Sequence, residues 1–128
     1  MKLTNEEKIS EWAFYQCLNK NDTIQMRRLI TDSRWAYCYC RDIKDREEVR
    51  KNITESKWAY WYCKDVKDRE EVWNKITQSR YDYCYCKFVK DRDEIWKKIT
   101  ESGWAYYYCK DVKDRPEVRK YIKDEIDK

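Results

Sequence analysis

Apolar and polar positions along this chain repeat with a period of 23 residues. Within one period, the apolar residues between Trp58 and Val66 lie three or four apart, while Lys57 and Lys64 fall on the opposite side. This spacing predicts an amphipathic helix, which we name helix A. The alternative is an aromatic strand, which together with a helix would give a horseshoe of strand–helix repeats. Because the periodicity continues past the aromatic run to Val66, the helix is favoured.

The second half of each period predicts a shorter helix, helix B. Asp45 and Glu48 match a capping box in which Asp is the N-cap residue, and Val49 and Ile53 then share one face. Pro116 falls in the first turn of the last such helix, where no intrahelical donor is lost. The same pairing recurs at Asp68/Glu71, Asp91/Glu94 and Asp114/Glu117.

These elements predict an all-α, right-handed α-solenoid of five 23-residue helix–turn–helix repeats in a single domain, residues 1–128. A capping box at Thr4 and Glu7 predicts an N-terminal cap over residues 1–9, continuous with the first helix A. Polar residues 123–128 predict a closed C-terminal end. The five repeats span residues 10–32, 33–55, 56–78, 79–101 and 102–124.

Composition narrows the class of protein. Charged residues make up 42% and the mean hydropathy is −1.18, but seven Trp and twelve Tyr supply enough apolar surface for a core. One Gly and one Pro argue against a turn-rich β-architecture. The net charge of +4 is too small to indicate nucleic acid by itself. No apolar run reaches the length of a membrane span, and the N-terminal residues do not match a signal peptide.

The seven cysteines raise the question of a metal site, because Cys38/Cys40 and Cys84/Cys86 form C-x-C pairs. On a helix, however, such a pair points in nearly opposite directions. Five cysteines also keep the 23-residue spacing on the face predicted to be buried, where a free thiol packs as a small apolar group. We therefore predict no metal and no cofactor, and reduced thiols in the cytoplasm. The five are Cys17, Cys40, Cys63, Cys86 and Cys109.

The sequence predicts no catalytic residues, and therefore no enzyme. There is no His to act as a general base or a metal ligand. The carboxylates are plentiful but occur at equivalent positions of successive repeats, whereas a catalytic site needs an asymmetric group with separate roles.

The segment W-A-Y-x-Y-C-K-D-V-K-D-R-P-E-V-R-K-Y-I, from Trp104 to Ile122, resembles short tandem helical repeats of uncharacterised bacteriophage proteins. The resemblance covers almost the whole chain. It implies a phage origin, an α-helical array and the host-cell cytoplasm, but no activity and no functional residues. The first repeat departs most, with Gln16, Asn19, Lys20 and Thr23 in place of Tyr, Asp, Val and Arg.

Positions that break the repeat point to a protein partner, because the consensus is needed for stacking and the departures are not. We predict that Trp73 and Trp96, which replace Arg, are at least partly exposed and act as interface anchors. The alternative is that large residues fill uneven gaps. The resulting hypothesis is a non-catalytic protein-binding module, which in a phage would sequester or inhibit a host protein. The predicted contact residues are Trp61, Trp73, Trp96, Asp82 and Phe88.

The runner-up is a nucleic-acid-binding solenoid, in which a row of tyrosines stacks on bases beside a row of cations. The competing interpretation is tyrosine packing between repeats under a solubilising basic face. Self-association of the ends is a third alternative, and no membrane contact is predicted. The tyrosines are Tyr37, Tyr60, Tyr83 and Tyr106, and the cations are Arg34, Arg41, Lys57, Lys64, Arg80, Lys87 and Lys110.

Overall fold

The computed structural model describes residues 2–123, which form ten α-helices and no strand. The chain divides into two compact units, Met1–Lys75 and Ile76–Lys128, and the assignment of one domain stays a prediction. The helices are α1 (Asn5–Leu18), α2 (Ile24–Arg27), α3 (Ser33–Asp42), α4 (Glu47–Arg50), α5 (Ser56–Asp65), α6 (Glu70–Trp73), α7 (Ser79–Phe88), α8 (Asp93–Trp96), α9 (Ser102–Asp111) and α10 (Pro116–Arg119).

Long and short helices alternate, as the two halves of the period predict. The long A helices stack on one another, α1 on α3 and α3 on α5 in the first unit, and α7 on α9 in the second. Each short B helix packs against the A helix before it. The helical repeat solenoid is thus confirmed, whereas the right-handed winding stays a prediction. The turn between the helices of the second repeat covers residues 43–46, longer than the two residues expected.

The core is built from the faces that the three-and-four spacing predicts. Ala36 and Tyr39 of α3 are fully buried, and so are Val49 of α4 and Ile53 after it. The equivalent residues Ala59, Tyr62 and Val72 of the third repeat are buried too, as are Tyr85, Ile95 and Ile99 in the second unit, so each unit has its own apolar layer. In the first repeat, Gln16 and Met26 are only half-buried at these positions. Burying a side chain of the size of Val or Ile stabilises a fold by about 1.5–3 kcal/mol. Helices of four residues are stable only because of this packing.

The expected aspartate caps of the B helices are wrong. The N-cap residue of α4 is Arg46 rather than Asp45, and its side chain makes no capping hydrogen bond. The pattern is the same for α6, α8 and α10. Asp45 and Asp91 accept hydrogen bonds from the following repeat instead, as described below, and Asp114 pairs with Arg119 of its own repeat.

Serine hydroxyls fasten the turn that leads from each B helix to the next A helix. The Ser33 Oγ accepts hydrogen bonds from the backbone N–H groups of Thr54 and Glu55, at 2.9 and 3.2 Å. Ser10 and Ser79 do the same in their repeats. The N-cap residue of α5, Glu55, makes no side-chain capping hydrogen bond. The buried Ser33 thus satisfies two backbone donors immediately before α5 rather than those of its first turn.

The predicted N-terminal capping box is confirmed. The Thr4 Oγ1 accepts from the Glu7 N–H at 3.1 Å, and the Glu7 carboxylate accepts from the Thr4 N–H at 2.8 Å. Helix α1 is continuous with the first helix A, as expected. Pro116 opens α10, also as expected. The predicted closure by the polar tail concerns residues 124–128, which lie outside the described part of the chain.

A hydrogen-bonded ladder joins successive repeats through one aspartate. Asp45 accepts from the Tyr62 hydroxyl at 2.7 Å and from the Arg69 guanidinium at 3.0 Å, both in the following repeat. Arg50, in the same repeat as Asp45, donates to it at 2.8 Å. Arg69 also donates to the Tyr62 hydroxyl at 2.7 Å, which closes the network. Asp22 and Asp91 hold equivalent positions, with Tyr39 and Tyr108 as their hydroxyl donors.

The ladder shifts the pKa of its members in opposite directions. Burial by itself would raise the pKa of Asp45, but the donors Tyr62, Arg50 and Arg69 together hold it below its ordinary value. Burial raises the pKa of Tyr39, with the hydrogen bond to Asp22 adding to the shift, to about 12. Across the physiological pH range, the Asp45 carboxylate is therefore ionised and the Tyr39 hydroxyl is neutral.

We predict that Asp45→Ala lowers the free energy of unfolding by about 2–4 kcal/mol, because it leaves the buried Arg50 without its closest carboxylate. The matched control is Asp114→Ala at the same position of the last repeat, where the partner Arg119 is half exposed. That exposed pair should contribute about 0–1 kcal/mol. Urea denaturation followed by circular dichroism measures both, and equal losses would contradict the ladder's role.

Candidate partner-binding surface

In the first unit, the outer face of the A helices carries exposed cations that flank aromatic rings. Lys57 and Lys64 lie seven residues apart on α5, so their side chains project from the same side of the helix two turns apart. The Lys57 ammonium lies 5.0 Å from the centre of the Trp58 ring, and that of Lys64 lies 5.0 Å from the Trp61 ring. These are cation–π distances, so each charge is positioned by an aromatic side chain.

Helix α3 repeats this arrangement with arginines. The Arg34 guanidinium lies 5.0 Å from the Trp35 ring, and that of Arg41 lies 5.1 Å from the Tyr37 ring. Arg41 also pairs with Asp42 at 2.7 Å, which reduces the positive charge at this end of the helix. The half-buried Cys38 lies between the two arginines in sequence. Four predicted cations of this unit are therefore exposed, as expected.

The second unit has the same face with more exposed aromatic surface. The Lys87 ammonium lies 5.2 Å from the Phe88 ring, and that of Lys110 lies 5.9 Å from the Tyr106 ring. Arg80 is exposed near the start of α7. Phe88 and Tyr107 are 53% and 45% exposed, so both rings are accessible to a partner. We name the exposed face of the A helices in each unit the cationic–aromatic face.

Of the predicted protein contacts, Trp61 and Phe88 reach this face. Trp61 is half-buried, with its ring 5.1 Å from the Tyr60 ring, and Phe88 is exposed. Two exposed aromatic residues on the same helix position as Trp61 escaped the sequence analysis, namely Tyr15 and Tyr107. Their signal was present, because they share a row with Trp61, 46 positions from each, in which large aromatic residues alternate with Cys38 and Cys84.

The tyrosine row does not form a stacking platform for bases. Tyr37, Tyr60 and Tyr83 are only 4–8% exposed, and Tyr106 is half-buried. The rings of Tyr37 and Tyr83 pack against the tryptophan of the next repeat, at 5.4 and 5.5 Å between centres. Their hydroxyl groups donate to Asp65 and Asp111, at 2.6 and 2.7 Å. Packing between repeats, which was the competing interpretation, explains this row.

Trp73 and Trp96 are also buried, at 5% and 4% exposure, so the expectation that they are accessible is wrong. The Trp96 indole N–H donates to the Asp93 carboxylate at 2.9 Å. The guanidinium of Arg115 lies 4.5 Å from the centre of its ring. The indole thus replaces the arginine of other repeats as the group on which the next repeat packs. Burial between helices overrides the neighbouring polar residues from which exposure was inferred.

Asp82 is fully buried and therefore does not contact a partner as expected. It stands where other repeats have a buried alanine, and neither carboxylate oxygen has a hydrogen-bond partner in the described part of the chain. The Lys98 ammonium lies 3.4 Å away and donates instead to the Ile76 carbonyl at 2.6 Å. Burial raises the pKa of Asp82 from 3.8 to about 6, although Lys98 opposes the shift.

The cysteines behave as core residues, which confirms that part of the prediction. Cys17, Cys40, Cys63 and Cys86 are buried, Cys109 is half-buried, and all seven cysteines are free thiols. Burial raises the pKa of Cys17 to about 11 and that of Cys40 to about 12. Among residues 2–123, no three acidic or cysteine side chains come together as a metal site. None of the described helices is long and apolar enough to cross a membrane.

The B helices of the first unit leave two clefts, of about 390 and 450 Å³. Their linings share Glu48 and Lys51, and they add Arg28 on one side and Glu71 on the other. Both signs of charge alternate along these clefts, so they select no single class of ligand. The cationic–aromatic face carries a row of exposed cations beside aromatic rings, and it is therefore the more specific surface.

Together, these contacts define an α-helical repeat protein in which each unit displays cations on the outer face of its A helices. No protein-family model, no curated protein and no solved structure matches the chain. The resemblance to bacteriophage repeats and the cytoplasmic location therefore stay predictions.

We predict that Trp96→Ala lowers the free energy of unfolding by about 3–5 kcal/mol, as expected for a large buried ring. Trp96→Arg should cost less than about 1 kcal/mol, because Arg50 fills the equivalent site by pairing with Asp45 and Glu71. Urea denaturation compares the two variants. A similar loss for both would show that the indole itself is required.

Replacing Asp82 by alanine should raise the free energy of unfolding by about 1–3 kcal/mol near neutral pH, since a buried carboxylate is removed. Between its unfolded pKa of 3.8 and its folded pKa of about 6, the folded state holds a proton that the unfolded state has lost. The free energy of unfolding of the wild type therefore falls as the pH rises from about 4 to about 6. The stability gained by Asp82→Ala is accordingly smaller near pH 4 than near pH 6.

Thermal or urea unfolding of both proteins across this range measures the difference. Asp82→Asn is the control, because it keeps the shape of the side chain but removes the titration. An advantage of Asp82→Ala that does not change with pH would contradict the assignment.

Proposed function

We propose that this protein is a non-catalytic binding module that holds an acidic protein partner on its cationic–aromatic face. The observation that carries the proposal is the exposure of every cation in that face, each close to or next to an aromatic ring. The residues are Arg34, Arg41, Lys57, Lys64, Arg80, Lys87 and Lys110.

The spacing of these cations fits carboxylates on a protein surface. Residues seven apart on one helix are about 10.5 Å apart along its axis. Packed helices lie about 8–10 Å apart, so the cations of neighbouring repeats form a lattice of similar spacing in both directions. Long side chains that already rest on rings lose less freedom on binding than free ones do. Trp61 and Tyr107 supply accessible aromatic surface among the charges, as interface hot spots require.

The resemblance to bacteriophage repeats extends this proposal to the identity of the partner. In that setting, the module would bind a protein of the infected cell in the cytoplasm and sequester or inhibit it. The proposal assigns no catalytic role to the repeated ionisable groups. Its support is that the aspartates of the ladder already accept hydrogen bonds that hold the repeats together. Asp22, Asp45 and Asp91 all accept hydrogen bonds from the following repeat.

Single-stranded nucleic acid is the second candidate ligand, because the same cations could follow a phosphate backbone. Its support is weaker, since the tyrosine row intended for base stacking is occupied by tryptophans of the next repeats. The exposed aromatic residues of the face, among them Tyr15, Phe88 and Tyr107, are less regularly spaced for stacking. A protein partner needs no regular platform, and therefore fits the face better.

The test is affinity capture from bacterial cytosol with the immobilised protein, performed with and without nuclease treatment. A charge-reversed variant, with Glu at Lys64, Lys87 and Lys110, should lose at least about nine-tenths of the captured partner. The matched control reverses Lys51, Lys97 and Lys120, which are equally exposed but follow the B helices. This control should capture the partner like the wild type.

Two results would contradict the proposal. Capture that disappears after nuclease treatment would assign the face to nucleic acid, which a fluorescent single-stranded oligonucleotide would verify through a steep salt dependence. Equal loss in both charge-reversed variants would show that the binding is non-specific attraction to a basic protein.

A further inference from the structure

Exposed apolar surface is concentrated in the first repeat and its N-terminal cap. Of the nine large apolar side chains that are exposed among residues 2–123, seven lie between residues 3 and 29. Trp12 is 51% exposed, whereas the equivalent Trp35 is 6% exposed. Trp35 is covered by Phe14 of the preceding repeat, with 5.4 Å between the ring centres. The first repeat of the described chain shows no such cover over Trp12.

Interior repeats show which positions make up this surface. In the second repeat, Tyr39, Glu48 and Asn52 contact the repeat before it: Tyr39 donates to Asp22, Glu48 accepts from Arg27, and Asn52 donates to the Ile30 carbonyl. We name the corresponding surface of the first repeat the leading face. It consists of Trp12, Gln16, Asn19, Thr23, Gln25 and Leu29.

The leading face has lost every formal charge that its interior counterparts carry. Asn19 stands at the position of Asp42 and Asp65, Gln25 at that of Glu48, and Thr23 at that of Arg46. In a chain with 42% charged residues, a neutral surface with an exposed tryptophan differs from the rest of the protein. Depletion of charge together with aromatic enrichment is typical of the centre of a protein interface.

Helix α1 adds a seam suited to pairing with another helix. Asn5, Ile9, Trp12, Gln16 and the C-cap residue Asn19 follow one another at spacings of four, three, four and three. This is the a/d spacing by which two helices pack along their length. All five are at least partly exposed, with Ile9 at 49%. The seam is symmetric about Trp12, with apolar and amide residues on either side.

We infer that the occupant of this surface is a second copy of the chain, bound by antiparallel pairing of the two α1 helices about a twofold axis at Trp12. In this register, Asn5 faces Asn19 of the second copy, and Ile9 faces the exposed Tyr15. Amide groups both donate and accept, so identical neutral faces are complementary without opposing like charges. Lys8 flanks the seam and faces Gln16 of the second copy, rather than another cation.

Head-to-tail stacking, the other way to cover the leading face, lacks the groups that join interior repeats. There, Tyr and Arg of the following repeat bind the aspartate of the one before it, as Tyr62 and Arg69 bind Asp45. The first repeat has Gln16 and Thr23 instead. Thr23 is also occupied, since its Oγ1 accepts from the Met26 N–H at 3.2 Å to cap α2.

Sedimentation velocity over a range of concentrations tests this inference. The wild-type chain should dimerise without growing further, and Trp12→Glu should weaken dimerisation by at least about 30-fold. The matched control is Ile24→Glu, which introduces the same charge at a 41% exposed position of the same repeat, where the next repeat already has Glu47. Its dimerisation should equal that of the wild type.

The antiparallel register has its own test. The double variant Asn5→Lys/Asn19→Asp should dimerise about threefold more tightly than the effects of the two single changes combined predict. The reason is that each lysine then faces an aspartate of the second copy. Absence of this coupling would overturn the register. A monomer up to about 200 μM, or open-ended growth with concentration, would overturn the twofold dimer itself.

Discussion

The stacking depends on one interaction, in which the aspartate of the turn between the two helices of a repeat binds the tyrosine and the arginine of the next repeat. It is formed by Asp22, Asp45 and Asp91. Asp45 accepts hydrogen bonds from Tyr62 and Arg69 across the repeat boundary and from Arg50 within its own repeat. Without Asp45, the hydroxyl of the buried Tyr62 would lose its acceptor, and Arg50 and Arg69 would lose their closest carboxylate. An unpaired buried group costs about 1–3 kcal/mol. The apolar layer beneath provides most of the favourable burial, but it is non-directional. The aspartate ladder fixes the register of one repeat on the next.

The ladder also explains why the polar residues of a highly charged chain separate into two classes. Ionisable groups at the repeat boundaries are partly buried and paired, as Arg27 is with Asp22 and Glu48. The cations of the A helices are exposed on the outer face beside aromatic rings, although Arg41 also pairs with Asp42 and Lys87 lies 3.8 Å from Asp111. Because the first class is committed to stacking, the second class is the one available for recognition. The proposed acidic partner follows from this division rather than from the small net charge.

Local pattern was sufficient to predict the elements, because the three-and-four spacing reflects burial along a single helix. It gave helix A, the buried cysteines and the core positions such as Tyr39 and Val49. It was insufficient wherever a residue's partner lies 17 or more positions away. Asp45 matched a capping box, yet Tyr62 and Arg69 compete for it more strongly. Trp96 had polar neighbours in sequence, yet Arg115 of the next repeat covers its ring. The cations of the site were predictable because exposure requires no partner.

The effect of a residue that departs from the repeat depends on how deeply its side chain is buried. At Trp96, a large side chain replaces an arginine inside the stack, and Asp93 and Arg115 are its partners, so the departure is a local repacking. At Asp82, a carboxylate replaces a buried alanine and gains only the ammonium of Lys98, so the departure costs stability without a visible structural benefit. At Gln16, Asn19 and Gln25, neutral amides replace the groups that would reach a preceding repeat. These three changes act together, since each leaves a neutral amide that keeps its hydrogen-bonding capacity. Asn19 and Gln25 replace carboxylates, and Gln16 replaces a tyrosine. A neutral but hydrogen-bonding set of this kind is expected on a surface that binds another protein surface. A surface exposed to solvent would be as soluble with charged residues at these positions.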